Sequence, residues 1–112
     1  MDENGGHIHV DAKVVREETG VRGVLAATFG LVGDLPSAVT TGCGVRVPYA
    51  MTSWRPESVT CLPCREHARR EHLRFAEQVT RLAGMPGAPV DRSAADRAAA
   101  RHRDLARRFS DS

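Results

Sequence analysis

Hydrophobic and polar positions change rhythm along this chain. From His7 to Glu17 the β-branched residues Ile8, Val10, Val14 and Val15 predict a strand, broken at Ala12 and Lys13. Glu18-Thr19-Gly20 reads as a turn, and Val21 to Phe29 as the second strand of a hairpin. Gly30, Gly33, Asp34 and Pro36 then punctuate a loop. Ala38-Val39-Thr40-Thr41 predicts a third strand that ends in a tight Gly42-Cys43-Gly44 turn. Val45 to Thr52 predicts another, interrupted by Pro48, so that it lies at a sheet edge or ends there. Ser53 to Glu57 turns the chain back toward Cys61.

From Pro63 the period becomes helical, because Leu73, Ala76, Val79, Thr80, Leu82 and Ala83 recur at helical spacing up to Gly84 and Pro86. Pro63 suits a first helical turn, where its missing N–H costs nothing. Met85 to Val90 reads as a linker, and Ser93 with Asp96 as a capping box for a last helix from Ala94 to Phe109. The apolar stripe of that helix is Ala95, Ala98, Ala99, Leu105, Ala106 and Phe109. Such a stripe folds easily and buries little, which suits a mobile arm or a helix that docks on a partner.

The pattern therefore predicts an α+β fold: a small antiparallel zinc-ribbon-like β-sheet followed by a helix, then a linker and a second Ala/Arg-rich helix. Residues 1–6 are expected to be a disordered N-terminus and 7–84 a zinc-ribbon-like β domain with a packed helix. Residues 85–92 would be the linker, and 93–112 the C-terminal helix, a mobile or docking arm.

Composition sharpens the picture at one point. The chain has 112 residues, of which 41% are hydrophobic, and its aromatic residues are three Phe, one Tyr and one Trp. A core this thin usually needs a metal, disulfides or a partner. The longest apolar run, Val24 to Val32, is broken by Thr28 and Gly30 and falls short of the ~20 residues of a membrane span. The polar start Met-Asp-Glu-Asn-Gly-Gly lacks the features of a secretory signal, so a cytosolic chain is expected, with no membrane partner. Thiols there stay reduced, and three cysteines cannot form a closed disulfide framework.

Those cysteines carry the strongest chemical signal. Cys43 sits between two glycines, and Cys61-Leu62-Pro63-Cys64 is a CxxC pair at a strand–helix junction. Turns of this kind let backbone N–H groups donate to thiolate sulfur. Three thiols and one imidazole make a full tetrahedral Zn²⁺ set. His9 is the preferred fourth ligand, since it lies nearer the sheet, and His7 is the alternative metal ligand. His67 and His72 are rival donors, but a site built from them with Cys61 and Cys64 would leave Cys43 unused.

The competing chemistry is a thiol–disulfide oxidoreductase using Cys61 and Cys64, because a helix N-terminus lowers a thiol pKa. The βαβ setting of such enzymes is missing from the pattern, and Cys43 would go unexplained. Residues 65–72 place Glu-His pairs five residues apart rather than the His-Glu-x-x-His of a zinc hydrolase. No Ser-His-Asp arrangement or phosphate-cradling glycine loop is visible, and no catalytic residue is assigned.

With Cys43-Gly44 and Val59-Thr60-Cys61-Leu62-Pro63-Cys64-Arg65 noted, the chain from His7 to about Arg70 resembles small actinobacterial zinc-finger proteins, many encoded near phage-like or mobile elements. Their shared pattern is an upstream His, then Cys-Gly, then Val-Thr-Cys-x-x-Cys. The resemblance implies zinc and says little about activity.

Charge adds a weaker hint. The net charge is +2, and fifteen of the sixteen cations are arginine. Residues 1–60 carry a net −2 and residues 61–112 a net +4. Arg46 and Arg55 on the ribbon, with Arg65, Arg69, Arg70 and Arg74 on the helix, could contact nucleic-acid phosphates, diluted by Glu66, Glu71 and Glu77. The expectation is a non-enzymatic zinc module, regulatory or adaptor in role. Its partner would be nucleic acid or protein, including a second copy held through the C-terminal helix.

Overall fold

The computed structural model describes residues 6–15, 38–88 and 91–110. The fold is α+β, with a two-stranded antiparallel sheet followed by two long helices. Strands β1 (Ala38–Thr40) and β2 (Arg46–Pro48) pair in the register Val39 opposite Val47. The turn between them closes through Thr41: its N–H donates to the Val45 carbonyl at 2.8 Å, and its own carbonyl accepts from Gly44 N–H at 2.9 Å. Gly44 has φ +87°, a left-handed conformation that favours glycine. Past Pro48 the predicted strand gives way to a 3₁₀ turn, Tyr49–Met51, because proline cannot extend the ladder. A second 3₁₀ turn, Pro56–Ser58, leads to the helix.

The segment from His7 differs from its predicted strand. It forms only single bridges, His9 with Thr52 and Asp11 with Thr41, and turns helical at Val14 and Val15. Its backbone is nonetheless hydrogen-bonded on both sides. His9 N–H donates to the Met51 carbonyl at 2.9 Å and its carbonyl accepts from Ser53 N–H at 2.9 Å. The Val10 carbonyl accepts from Gly42 at 2.9 Å, and Ile8's accepts from Thr60 at 3.0 Å and Cys61 at 3.2 Å. The segment is thus threaded between the β-turn and the entry to the helix, bonded to both sides rather than laddered to one strand. The remainder of that predicted strand and the one expected from Val21 to Phe29 lie outside the described residues.

Helix α1 (Leu62–Ala83) begins with Cys61 at the N-cap and Pro63 in the first turn, as its sequence predicts. It buries Cys64, Ala68, His72 and Ala76, one residue per turn. Ala76 belongs to the expected stripe, whereas Leu73 and Leu82 of that stripe are 36% and 52% exposed. Helix α2 (Arg92–Ser110) buries Ala95, Ala99, His102, Leu105, Ala106 and Phe109. It starts two residues earlier than expected, and Asp91, rather than Ser93, supplies the cap: its carboxylate accepts from Ala94 N–H at 3.0 Å.

The two helices form an antiparallel hairpin, with Arg65 beside Arg108 and Phe75 against His102. Ala68 and Ala76 on α1 and Ala95 and Ala99 on α2 are small side chains buried on these helices. The alanine stripe that looked like a docking face is therefore filled by α1 of the same chain. Phe109 joins Val10, Val14, Val59, Cys64 and Ala68 in one core. The far end of the chain thus packs directly beneath the cysteine pair. Neither described helix is long and apolar enough to cross a membrane.

Candidate metal centre

Three elements bring one side-chain cluster together. The N-terminal segment supplies His9, the β-turn supplies Cys43, and the first turn of α1 supplies Cys61 and Cys64. One ligand atom from each lies within 4.8 Å of every other. His9 Nδ1 is 3.6 Å from Cys43 Sγ and 3.5 Å from Cys64 Sγ. Four soft and borderline donors at this spacing can hold a metal ion. Cys61 and Cys64 sit at the start of the helix, one at its N-cap and one in its first turn. The second pair of donors therefore comes from a helix terminus and not from a second β-turn.

Burial shapes the protonation of the cluster. His9 is buried, and desolvation followed by the nearby His7 pushes its pKa below the usual imidazole value. A neutral imidazole is the form that binds metal. Burial pushes the Cys64 thiol up to about 12. At Cys43 burial also acts upward, but hydrogen bonds led by the Thr41 hydroxyl more than compensate, leaving its pKa below the ordinary thiol value. Three thiols this close cannot all ionise unaided. A bound cation would supply the charge that deprotonates them.

Thr41 has a part that sequence reasoning missed. Its buried hydroxyl accepts from Val45 N–H at 3.1 Å, so its own hydrogen is free to donate to Cys43 Sγ, 3.1 Å away. The readable signal was the hydroxyl residue two positions before a turn cysteine. Gly42 matters for space: a Cβ there would fall 2.6 to 2.9 Å from Cδ2, Cγ and Cβ of His67.

The other candidate donors are placed elsewhere. His7 is exposed, and its Nδ1 lies 3.1 Å from the Thr60 hydroxyl. His67 donates from Nε2 to the Ala12 carbonyl at 3.0 Å. His72 pairs with His102 through their Nδ1 atoms at 2.8 Å, inside the helix hairpin.

The arginines divide into engaged and exposed. Arg65 donates to the carbonyls of Pro56 at 2.5 Å, Val59 at 2.9 Å and Arg108 at 2.8 Å, and its guanidinium lies 5.6 Å over the Phe109 ring. It clamps the 3₁₀ turn to the end of α2. Arg69 makes a two-point pair with Glu66 at 2.9 and 2.6 Å, and Arg70 and Arg74 lie within 3.6 Å of Glu66 and 3.2 Å of Glu71. Arg46 is exposed on β2, and Arg55 is exposed with its guanidinium 5.6 Å from the Trp54 ring centre.

No protein-family model matches the chain, and searches of curated proteins and of solved structures return no match.

Proposed function

We propose that His9, Cys43, Cys61 and Cys64 hold one structural Zn²⁺, and that the protein is a non-enzymatic adaptor or regulatory module stapled by that ion. The observation that carries this reading is a distance. In a regular tetrahedron with Zn–S of about 2.3 Å and Zn–N of about 2.0–2.1 Å, nitrogen and sulfur stand about 3.6 Å apart. His9 Nδ1 stands 3.6 and 3.5 Å from two of the sulfurs. Four protein donors also fill the coordination shell, leaving no open position for a reacting water.

The staple joins the three elements that a thin core holds least well. Structural zinc contributes on the order of 10–16 kcal/mol to folding in small zinc modules. The resemblance of the Cys43-Gly44 and Cys61-x-x-Cys64 motifs to actinobacterial zinc-finger proteins is in keeping with this role. A disulfide oxidoreductase fits less well, because Cys64 is fully buried and all three thiols and His9 are drawn into one cluster. For the partner, protein ranks ahead of nucleic acid. Arg65 and Arg69 spend their guanidiniums on carbonyls and on Glu66, leaving Arg46 and Arg55 as the exposed members of the four arginines expected to meet phosphate.

The test is metal content of the purified protein with far-UV circular dichroism before and after strong chelator. One zinc per chain, and loss of structure on its removal, are expected. A chain that stays folded without metal, or whose thiols react freely when metal is present, refutes the reading.

A further inference from the structure

The four donors of the cluster do not meet solvent equally. His9 and Cys64 are buried, at 3% and 0% exposure, while Cys43 and Cys61 are partly exposed. The two partly exposed sulfurs differ again in what surrounds them. The Thr41 hydroxyl lies 3.1 Å from Cys43 Sγ, and the Val45 backbone adds a second hydrogen bond that favours its thiolate. Cys61 stands at the N-cap of α1 beside the exposed Leu62 and Pro63, and its side chain makes no capping bond. Among the described residues, no hydroxyl or backbone N–H donates to Cys61 Sγ, whose hydrogen-bond neighbours are the other two thiols.

A hydrogen bond to a thiolate occupies a sulfur lone pair and must weaken when that pair forms a new bond. Cys43 is shielded in this way and Cys64 by burial, which leaves Cys61 as the open nucleophile. We infer, on the footing of the zinc assignment of these four residues, that Cys61 is an oxidation site through which hydrogen peroxide dismantles the metal centre, closing a Cys61–Cys64 disulfide and expelling Zn²⁺.

The chemistry balances in two steps. The Cys61 thiolate attacks one peroxide oxygen, the S–O bond forms as the O–O bond breaks, and the departing hydroxide takes a proton from solvent to become water. The Cys64 thiolate then attacks the Cys61 sulfenic acid, the S–S bond forms, and a second hydroxide leaves and is protonated. Two thiolates lose two electrons, one peroxide gains them, and two protons are consumed. Cys64 suits the second step by position. Residues three apart on a helix have Cα atoms about 5 Å apart, inside the disulfide range. The two sulfurs already lie within 4.8 Å of each other.

His9 and Cys43 alone cannot complete a tetrahedral shell, so the ion leaves. The N-terminal segment, the β-turn and α1 then lose their common staple. The disulfide also draws on the Cys64 sulfur, which packs with Val10, Val14 and Phe109, so oxidation loosens the core as well as emptying the site.

The test treats full-length, zinc-loaded protein with hydrogen peroxide, follows released zinc with a chromophoric chelator, and maps thiols and disulfides by mass spectrometry. One zinc should be released per Cys61–Cys64 disulfide, with Cys43 still reduced, and dithiothreitol with added zinc should restore the site. Limiting N-ethylmaleimide reads the order of reactivity. Zinc should slow all three thiols relative to the metal-free chain, with Cys61 modified on the order of ten-fold faster than Cys43. Thr41→Val should narrow that gap, and Thr41→Ser, which keeps the hydroxyl, should preserve it. Should Thr41→Val not fold, the wild-type order and disulfide map decide alone. Zinc held with all thiols intact under peroxide that oxidises a free cysteine peptide overturns the inference. So does a Cys43–Cys64 disulfide with Cys61 reduced, equal maleimide rates at Cys43 and Cys61, or a gap untouched by Thr41→Val. Protein that binds no zinc before peroxide is added overturns the structural-zinc reading as well, whereas a zinc-loaded site inert to peroxide overturns this inference alone.

Discussion

Replacing His9 or His7 by alanine separates the proposed ligand from its neighbour two residues away. His9 points Nδ1 at two sulfurs, 3.6 and 3.5 Å off, while His7 faces solvent beside the Thr60 hydroxyl at 3.1 Å. If about 10–16 kcal/mol of zinc binding is shared over four ligands, one ligand is worth about 3 kcal/mol, on the order of 10²–10³ in Kd. His9→Ala should weaken zinc by that factor. His7→Ala removes one exposed hydrogen bond, worth about 0.5–1 kcal/mol of stability, and Ile8 N–H still holds the Thr60 hydroxyl at 2.9 Å. Its zinc Kd should stay within a few-fold of wild type. Competition against a chromophoric chelator reads both constants, and denaturant unfolding without metal removes any shared stability effect. A His7→Ala loss equal to or greater than that of His9→Ala would refute the assigned ligand set.

Other perturbations test the scaffold around the site. Phe109→Ala should cost about 3–5 kcal/mol in urea unfolding and also loosen zinc, since that ring packs with Cys64 and Ala68; zinc affinity untouched by it would deny the link. Gly42→Ala should destabilise by about 1–3 kcal/mol, because its methyl would meet His67 at 2.6 Å and disturb the bond to the Ala12 carbonyl; a neutral result in thermal melts would show that the ring gives way freely. Arg65→Ala should cost about 2–4 kcal/mol, and Arg65→Lys should recover little, since one ammonium cannot span the carbonyls of Pro56, Val59 and Arg108. Full recovery of the melting temperature by lysine would argue against the clamp.

What could be read from the chain alone was local. The Gly-flanked Cys43 announces a turn, Pro63 a helix start, and Ala95 to Phe109 an apolar stripe, because each depends on neighbours within one or two turns. The three cysteines with an upstream histidine also announce, by chemical type, a group that could hold a metal ion. Tertiary structure decided the rest. His7 and His9 are alike in sequence, and only the backbone bonds of His9 with Met51 and Ser53 aim one of them at the sulfurs. Arg65 looked like a phosphate contact until distant carbonyls, one of them 43 residues away, claimed its N–H groups. The histidine pair was hidden for the same reason. His102 shares the Ala99–Ala106 spacing of its stripe, but its partner lies 30 residues away on another helix. Local periodicity states which face is apolar; it carries no information about which distant polar group will be waiting there when that face is buried.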